Sequence, residues 1–255
     1  MGNKLTVCID PGHGAPDSGA VGAKGTKESD IALSVGLRAA EILEKHKVSV
    51  VMTRTADKRP GKNVDEALST RVSVANKAKA CLFVSLHANS AGSNKEARGC
   101  LALVNNEESF GNELAKNILK RIEQYTDIRN KGVFVDKSYI KYKLYVLENT
   151  SMPACLIELG MLSNLSEEMY LASEEVQEIL AQCVAKGVLD TLSIPNAINP
   201  LEPKIDQRAI PSEWAKPSWD WAVRNKLLDG TRPKDNLTRE ELAVILHRYT
   251  NFLEK

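Results

Sequence analysis

Apolar and polar positions alternate at the start of the chain, Leu5-Thr6-Val7-Cys8-Ile9, until Pro11-Gly12 interrupts them. The pattern predicts a buried strand that stops where proline, lacking an N–H, cannot extend a ladder. His13 follows at once, flanked by Gly12 and Gly14, small neighbours that leave room for a close approach to its ring. A Gly-rich loop, residues 17–25, leads to Glu28, where the period becomes helical. Ile31, Ala32, Val35, Ala39, Ile42 and Leu43 recur on one face, and Glu41, Glu44 and Lys45 fall on the other.

The same reading continues along the chain. Residues 48–54 predict a second strand, and residues 65–79 a second amphipathic helix with Leu68, Val72, Ala75 and Ala78 inward. Residues 80–89 are almost continuously apolar, as a strand buried on both faces should be, and they too end beside a histidine, His87. A strand is expected at 99–104 and a helix at 107–125 carrying Leu114, Ile118 and Ile122. The polar stretch 129–143 reads as an irregular loop beside a site. Apolar runs follow at 144–147 and 154–160, the second interrupted by Glu158, and a long helix is expected at about 173–192. Strands alternating with helices argue for an α/β fold: right-handed βαβ units in a mostly parallel twisted sheet with helices on both faces.

Beyond residue 192 the pattern breaks. Residues 193–211 contain four prolines and no sustained period, which suits a semi-extended linker. In residues 212–255 the tryptophans Trp214, Trp219 and Trp221 lie close together. Pro217 suits the first turn of a helix reaching Leu228, Gly230 is placed to end it, and Thr238 and Glu241 form a capping box. Leu242, Ile245, Leu246 and Tyr249 then mark one helical face. The expected organisation is thus a domain at 1–192, a linker at 193–211 and a small helical module at 212–255.

Composition narrows the function. With 255 residues, 43% of them hydrophobic, the chain can bury a substantial core. Its 34 basic and 33 acidic residues balance to a net charge of +1, which disfavours nucleic acid as a partner. No stretch reaches the length of a membrane span, and the first residues lack the apolar core of a signal peptide, so a soluble product made in the cytoplasm is expected. Cys8, Cys81, Cys100, Cys155 and Cys183 show no CxxC spacing and read as reduced, buried small hydrophobes.

Four residues carry candidate chemistry: His13, Glu28, His87 and Glu158. Three fall at expected strand ends on one edge of the sheet, and Glu28 opens the helix after the first strand. A carboxylate in a buried strand, as at Glu158, is costly unless it is paired, bonded or near a metal. Pairing with Arg54 or Arg71 is the structural alternative. Two imidazoles and one carboxylate form a common catalytic zinc site, and the remaining carboxylate would then act as general base in amide hydrolysis. Asn89 could orient the site beside His87, whereas His46 and His247 lie outside every motif.

The strings IDPGHG (9–14), GTKESDIAL (25–33), TRVSVANKAKACLFVSLHAN (70–89) and MPACLIELGMLSN (152–164) resemble, in order and spacing, the signature blocks of the zinc-dependent N-acetylmuramoyl-L-alanine amidases of the amidase-3 family. Met161 stands where an aromatic is common, and no ligand position departs from the pattern. The resemblance implies that His13, Glu28 and His87 bind one zinc ion per chain and that Glu158 is the catalytic carboxylate. It also implies peptidoglycan as the substrate, cut between the lactyl group of N-acetylmuramic acid and L-alanine. A zinc peptidase or deacetylase, and a non-catalytic wall-binding protein, are the rival expectations. The C-terminal segment resembles one S-layer-homology-like repeat, as at the ends of some Bacillus-type phage lysins, which implies wall binding. Together these features suit a phage or prophage endolysin acting on the wall after release, or a host enzyme freed when a mother cell lyses. Oligomeric state is left open.

Overall fold

In the computed structural model, residues 5–195, 215–228 and 239–253 are described. The larger of two compact units, Met1–Pro203, holds a six-stranded sheet. Its elements in chain order are β1 (Thr6–Pro11), α1 (Glu28–Lys45), β2 (Ser49–Met52), α2 (Val64–Lys77), β3 (Leu82–Asn89), β4 (Cys100–Val104), α3 (Phe110–Tyr125), β5 (Asn130–Val135), α4 (Asp136–Tyr139), α5 (Tyr145–Asn149), β6 (Ala154–Met161), α6 (Leu165–Leu171) and α7 (Glu174–Thr191). The strand order is β2-β1-β3-β6-β4-β5. This is the expected α/β fold with a mostly parallel sheet.

Strands β2, β1, β3 and β6 pair in parallel. β4 runs antiparallel to β6, and β5 pairs parallel to β4. The reversal follows from the connection after β3, which has no helix. A parallel return needs a long crossover, usually helical, and the 90–99 loop provides none.

One face of the sheet packs on α1 and α3, and α7 packs on both of these helices. Helices α3 and α7 approach closely at Gly187, where a Cβ would lie 2.6 Å from the Ile118 Cα. On the other face Cys8, Phe83, Leu101, Ala154 and Leu156 form a core with Val72 and Ala75 of α2 and Val146 and Leu147 of α5. Because alternate residues share a face, this second face also carries Asp10, Ser85, His87 and Glu158. Their rows read Cys8–Phe83–Ala154, then Asp10–Ser85–Leu156, then His87–Glu158–Leu101. The face turns from apolar to polar towards the C-terminal ends of β1 and β3.

Two expectations are corrected. Within residues 129–143, Asn130–Val135 form a strand, β5, and Asp136–Tyr139 the short helix α4, so only 140–143 keep the expected irregular course. The signal was masked because β5 is an edge strand, mostly half-buried, with Gly132 at φ +101° where its register to β4 shifts. Helix α6 is an element the hydrophobic pattern did not call for; its start is marked by Asn164, whose side chain accepts the Glu167 N–H.

The cysteines are free, and all except the half-buried Cys81 are buried. Burial pushes the Cys100 thiol up to about 12, which keeps it unreactive.

The second unit, Lys204–Lys255, contributes α8 (Lys216–Arg224), with Pro217 in its first turn, and α9 (Arg239–Leu253). α8 ends at Arg224, four residues short of Leu228, and Lys226 then takes φ +58°. The Trp221 and Phe252 rings meet edge to face at 5.7 Å, and Arg248 donates to the Leu227 carbonyl. Leu242, Leu246 and Tyr249 on the anticipated apolar face of α9 are exposed. Residues 196–214, Gly230 and the Thr238–Glu241 cap, on which the linker, Trp214 and helix-boundary expectations fall, lie outside the described residues or side chains.

Candidate metal centre

His13 stands in the left-handed region, φ +58°, just past β1. A non-glycine residue there needs support from its surroundings, and two buried arginines provide it. Arg54 donates to the carbonyls of Pro11 at 2.9 Å and Gly12 at 2.7 Å. Arg71 donates to the carbonyls of Pro11 at 2.6 Å and His13 at 2.5 Å. The guanidinium of Arg71 is itself neutralised by Asp10 at 2.5 Å, and Asp10 also accepts from Thr53 at 2.5 Å and Ser85 at 2.7 Å. Burial alone would raise the Asp10 carboxyl, but Arg71 and these hydrogen bonds hold it below the usual carboxylate range. Arg54 and Arg71 therefore serve the His13 loop, and neither pairs with Glu158.

Three of the four sequence-derived residues come together. His13 Nε2 lies 3.1 Å from Glu28 Oε1, and His87 Nδ1 lies 2.7 Å from the same oxygen. One donor atom from each of His13, Glu28 and His87 lies within 4.8 Å of the others, which makes them a candidate metal-ligand set. The imidazoles meet nearly edge-on, with centroids 4.9 Å apart. Glu28 is further fixed by the Ala20 N–H at 2.8 Å and the Ala88 N–H at 3.2 Å. Burial would raise Glu28, but hydrogen bonds from His13 and His87 push it far down; burial would lower His13, but Glu28 and Asp17 hold it up. Glycine is required on both sides of the cluster. A Cβ at Gly12 would collide with the His87 ring, and one at Gly19 would lie 2.5 Å from Glu28 Oε2.

Glu158 is the register partner of His87 on the adjacent strand. Its Oε2 is buried and has no hydrogen-bond partner among the described residues. Burial raises its carboxyl to about 7, with His87 pulling down and Glu28 pushing up. The two carboxylates thus diverge: Glu28 is pushed down and stays ionised, whereas Glu158 is pushed up to about 7.

Sequence reasoning missed Asp17. Its Oδ2 accepts from His13 Nδ1 at 3.0 Å and its Oδ1 from the Gly19 N–H at 3.1 Å, the arrangement that orients a metal-binding imidazole from behind. It also missed the Asp10–Arg71 clamp. Asp10, a carboxylate inside an apolar strand, carried the same signal as Glu158. Asn89, in contrast, caps its own turn by accepting the Ser90 N–H, and His46 bonds back to the Ile42 carbonyl at the end of α1.

Among known proteins, the family described as "Amidase_3: N-acetylmuramoyl-L-alanine amidase" matches residues 7–190. The germination-specific N-acetylmuramoyl-L-alanine amidase of Bacillus subtilis is 32% identical over 191 residues, covering 72% of this chain and 78% of that protein. The endolysin of Bacillus phage SPP1 is 33% identical over 258 aligned residues, covering 94% of this chain and 89% of the endolysin. An uncharacterized cell wall amidase of Bacillus anthracis is 34% identical over 194 residues; this chain spans 35% of that longer protein. Among solved structures, the amidase AmiC2 of Nostoc punctiforme superposes with a TM-score of 0.66 at 37% identity, covering 74% of this chain and 97% of the other.

Proposed function

The chain belongs to the Amidase_3 family of N-acetylmuramoyl-L-alanine amidases, and from that premise we propose that it hydrolyses the amide between the lactyl group of N-acetylmuramic acid and the L-alanine of the peptidoglycan stem. In this reading His13, Glu28 and His87 hold one zinc ion, and Glu158 is the general base and acid. The observation that carries it is the convergence of three ligand atoms within 4.8 Å beside a carboxylate whose buried oxygen lacks a partner. An unsatisfied buried acceptor costs about 1–3 kcal/mol, a cost that a reacting group explains and a structural one does not.

The donor set fits zinc: two imidazole nitrogens and a carboxylate oxygen are a common catalytic combination, and Gly12 and Gly19 keep the space around them clear of side chains. When bound, the ion supplies Lewis-acid chemistry, polarising a carbonyl and lowering the pKa of water. Every other step belongs to the chain. Glu158 accepts the proton of the attacking water at its carboxylate and returns it to the leaving alanine nitrogen. Asp17 fixes the tautomer and tilt of His13 through Nδ1, and the arginine-held carbonyls of residues 11–13 fix the backbone beneath it.

We read the setting as that of an endolysin, with the second unit as a wall-binding module. The match to the SPP1 endolysin supports this, since its 94% coverage carries it beyond the family match ending at residue 190. A tether to the wall raises local substrate concentration without altering the chemistry. Zinc analysis together with cleavage of purified walls tests the proposal. One zinc per chain and chelator-sensitive release of new alanine N-termini are expected; cleavage at another stem amide would replace the reading with a peptidase. Truncation after Leu192 should weaken action on intact walls, and undiminished activity would remove the tethering role.

A further inference from the structure

A groove of about 420 Å³ opens onto the metal centre. His13 and His87 line it together with Val64 and Leu68 of α2 and the exposed Tyr142 and Tyr145. Between α4 and Tyr145, buried Asp136 accepts the Lys137 and Leu144 N–H groups, at 2.5 and 2.7 Å, and so closes the turn that carries Tyr142. Among the charges lining the groove, Asp10 is paired with Arg71 and Lys143 with Glu148 at 2.6 Å, while Asp17 accepts a hydrogen bond from His13.

Arg59 has no such ion pair among the described residues. Its side chain donates Nε to the Gly61 carbonyl at 3.4 Å and Nη2 to the Lys62 carbonyl at 2.7 Å. Its backbone is tied to the His13 loop, because the Arg59 N–H donates to the Ala15 carbonyl at 3.1 Å and Gly14 packs directly against Lys58 and Arg59. The guanidinium is thus held by two backbone carbonyls, without an ion pair among the described residues, in the groove that His13 and His87 line. Its charge reaches Asp17 and contributes to holding that carboxyl down. A planar fork with donors to spare is suited to a carboxylate.

We propose that Arg59 is a specificity-determining residue that binds a carboxylate of the stem peptide close to the scissile amide. The residue after the stem alanine is a γ-linked D-glutamyl unit, whose α-carboxyl is either free or amidated. Arg59 selects the free form. This inference rests on the amidase reading and extends it to the choice between stem variants.

The test compares two purified peptidoglycans that differ only in whether this α-carboxyl is free or amidated, using the full chain loaded with zinc. Wild type is expected to favour the free carboxyl by roughly ten- to hundredfold in kcat/KM, the range for a hydrogen bond to a charged group. Arg59→Ala should collapse that preference towards one, chiefly through a higher KM on the free-carboxyl wall. Arg59→Lys, which keeps the charge and loses the fork, should retain part of it. Cleavage of both walls at equal efficiency by wild type, or an undiminished preference in Arg59→Ala, would overturn the inference and leave the amidase reading standing. Cleavage of neither wall would overturn both.

Discussion

Two carboxylates on the same face of the sheet, one pleat apart, have opposite surroundings. Asp10 is buried with both oxygens engaged by Thr53, Ser85 and Arg71. Glu158, in the next row, has a buried oxygen with no partner. Burial presses both towards protonation. For Asp10 the opposite charge and hydrogen bonds win and hold the carboxyl low; for Glu158 burial outweighs the pull of His87, and it rises to about 7. A satisfied charge is scaffold here, because its ionised form is what the neighbours bind. An unsatisfied one is left free to exchange protons with something brought to it.

That contrast can be broken from either side, and the largest effect is expected at Glu158. Glu158→Gln should lower kcat by roughly a hundred- to ten-thousand-fold. Zinc content and the denaturant midpoint should stay close to wild type, and an active variant would end the general-base assignment. Asp10→Ala should do the reverse, costing about 3–5 kcal/mol in a denaturant titration by leaving the Arg71 charge buried and alone. A pH series sharpens the same point. The folded pKa of Asp10 lies below its unfolded value near 4, so its stabilisation is fully present above about pH 4 and is lost as pH falls through the folded value. In Asp10→Ala the acid limb of the stability curve should be correspondingly flatter. The smallest effect is expected from Ser85→Ala, which removes one bond and leaves Arg71 and Thr53 in place: about 1–3 kcal/mol in the same titration, with zinc content unchanged.

Elements with strong periodicity were legible in the sequence. The start of α1 at Glu28 and the long α7 agree with the spacing of their apolar positions, because α1 buries a continuous stripe against the sheet and α7 one against α1 and α3. The edge strand β5 was not legible: it is mostly half-buried, contains a glycine and pairs on one side, so it carries little of the apolar signal that marks β3. The direction of β4 depends on a loop with no helix to cross over, which strand composition does not reveal. At the centre, His13 and His87 stood out as imidazoles at strand ends and Glu28 through its place in the GTKESDIAL block, and the folded chain gathers the three. Asp17 did not, since an aspartate in a Gly-rich loop looks like any turn residue until its partner is known. Arg54 and Arg71 act on backbone carbonyls, and those contacts exist only once the loop has its shape.

Arg54 has one further consequence. A single nitrogen, Nη2, donates to the Gly12 carbonyl in the His13 loop and to the Ser29 carbonyl at the start of α1, each at 2.7 Å. The positions next to His13 and Glu28 are therefore bridged by one rigid, planar group, although fourteen residues of chain lie between the two side chains. Thermal displacements of the loop and the helix start should be correlated, with the pair shifting as one body while the distance between its members changes little. Any movement of the intervening Gly-rich loop would then be absorbed away from His13 and Glu28, as play in a linkage is taken up by its slack arm.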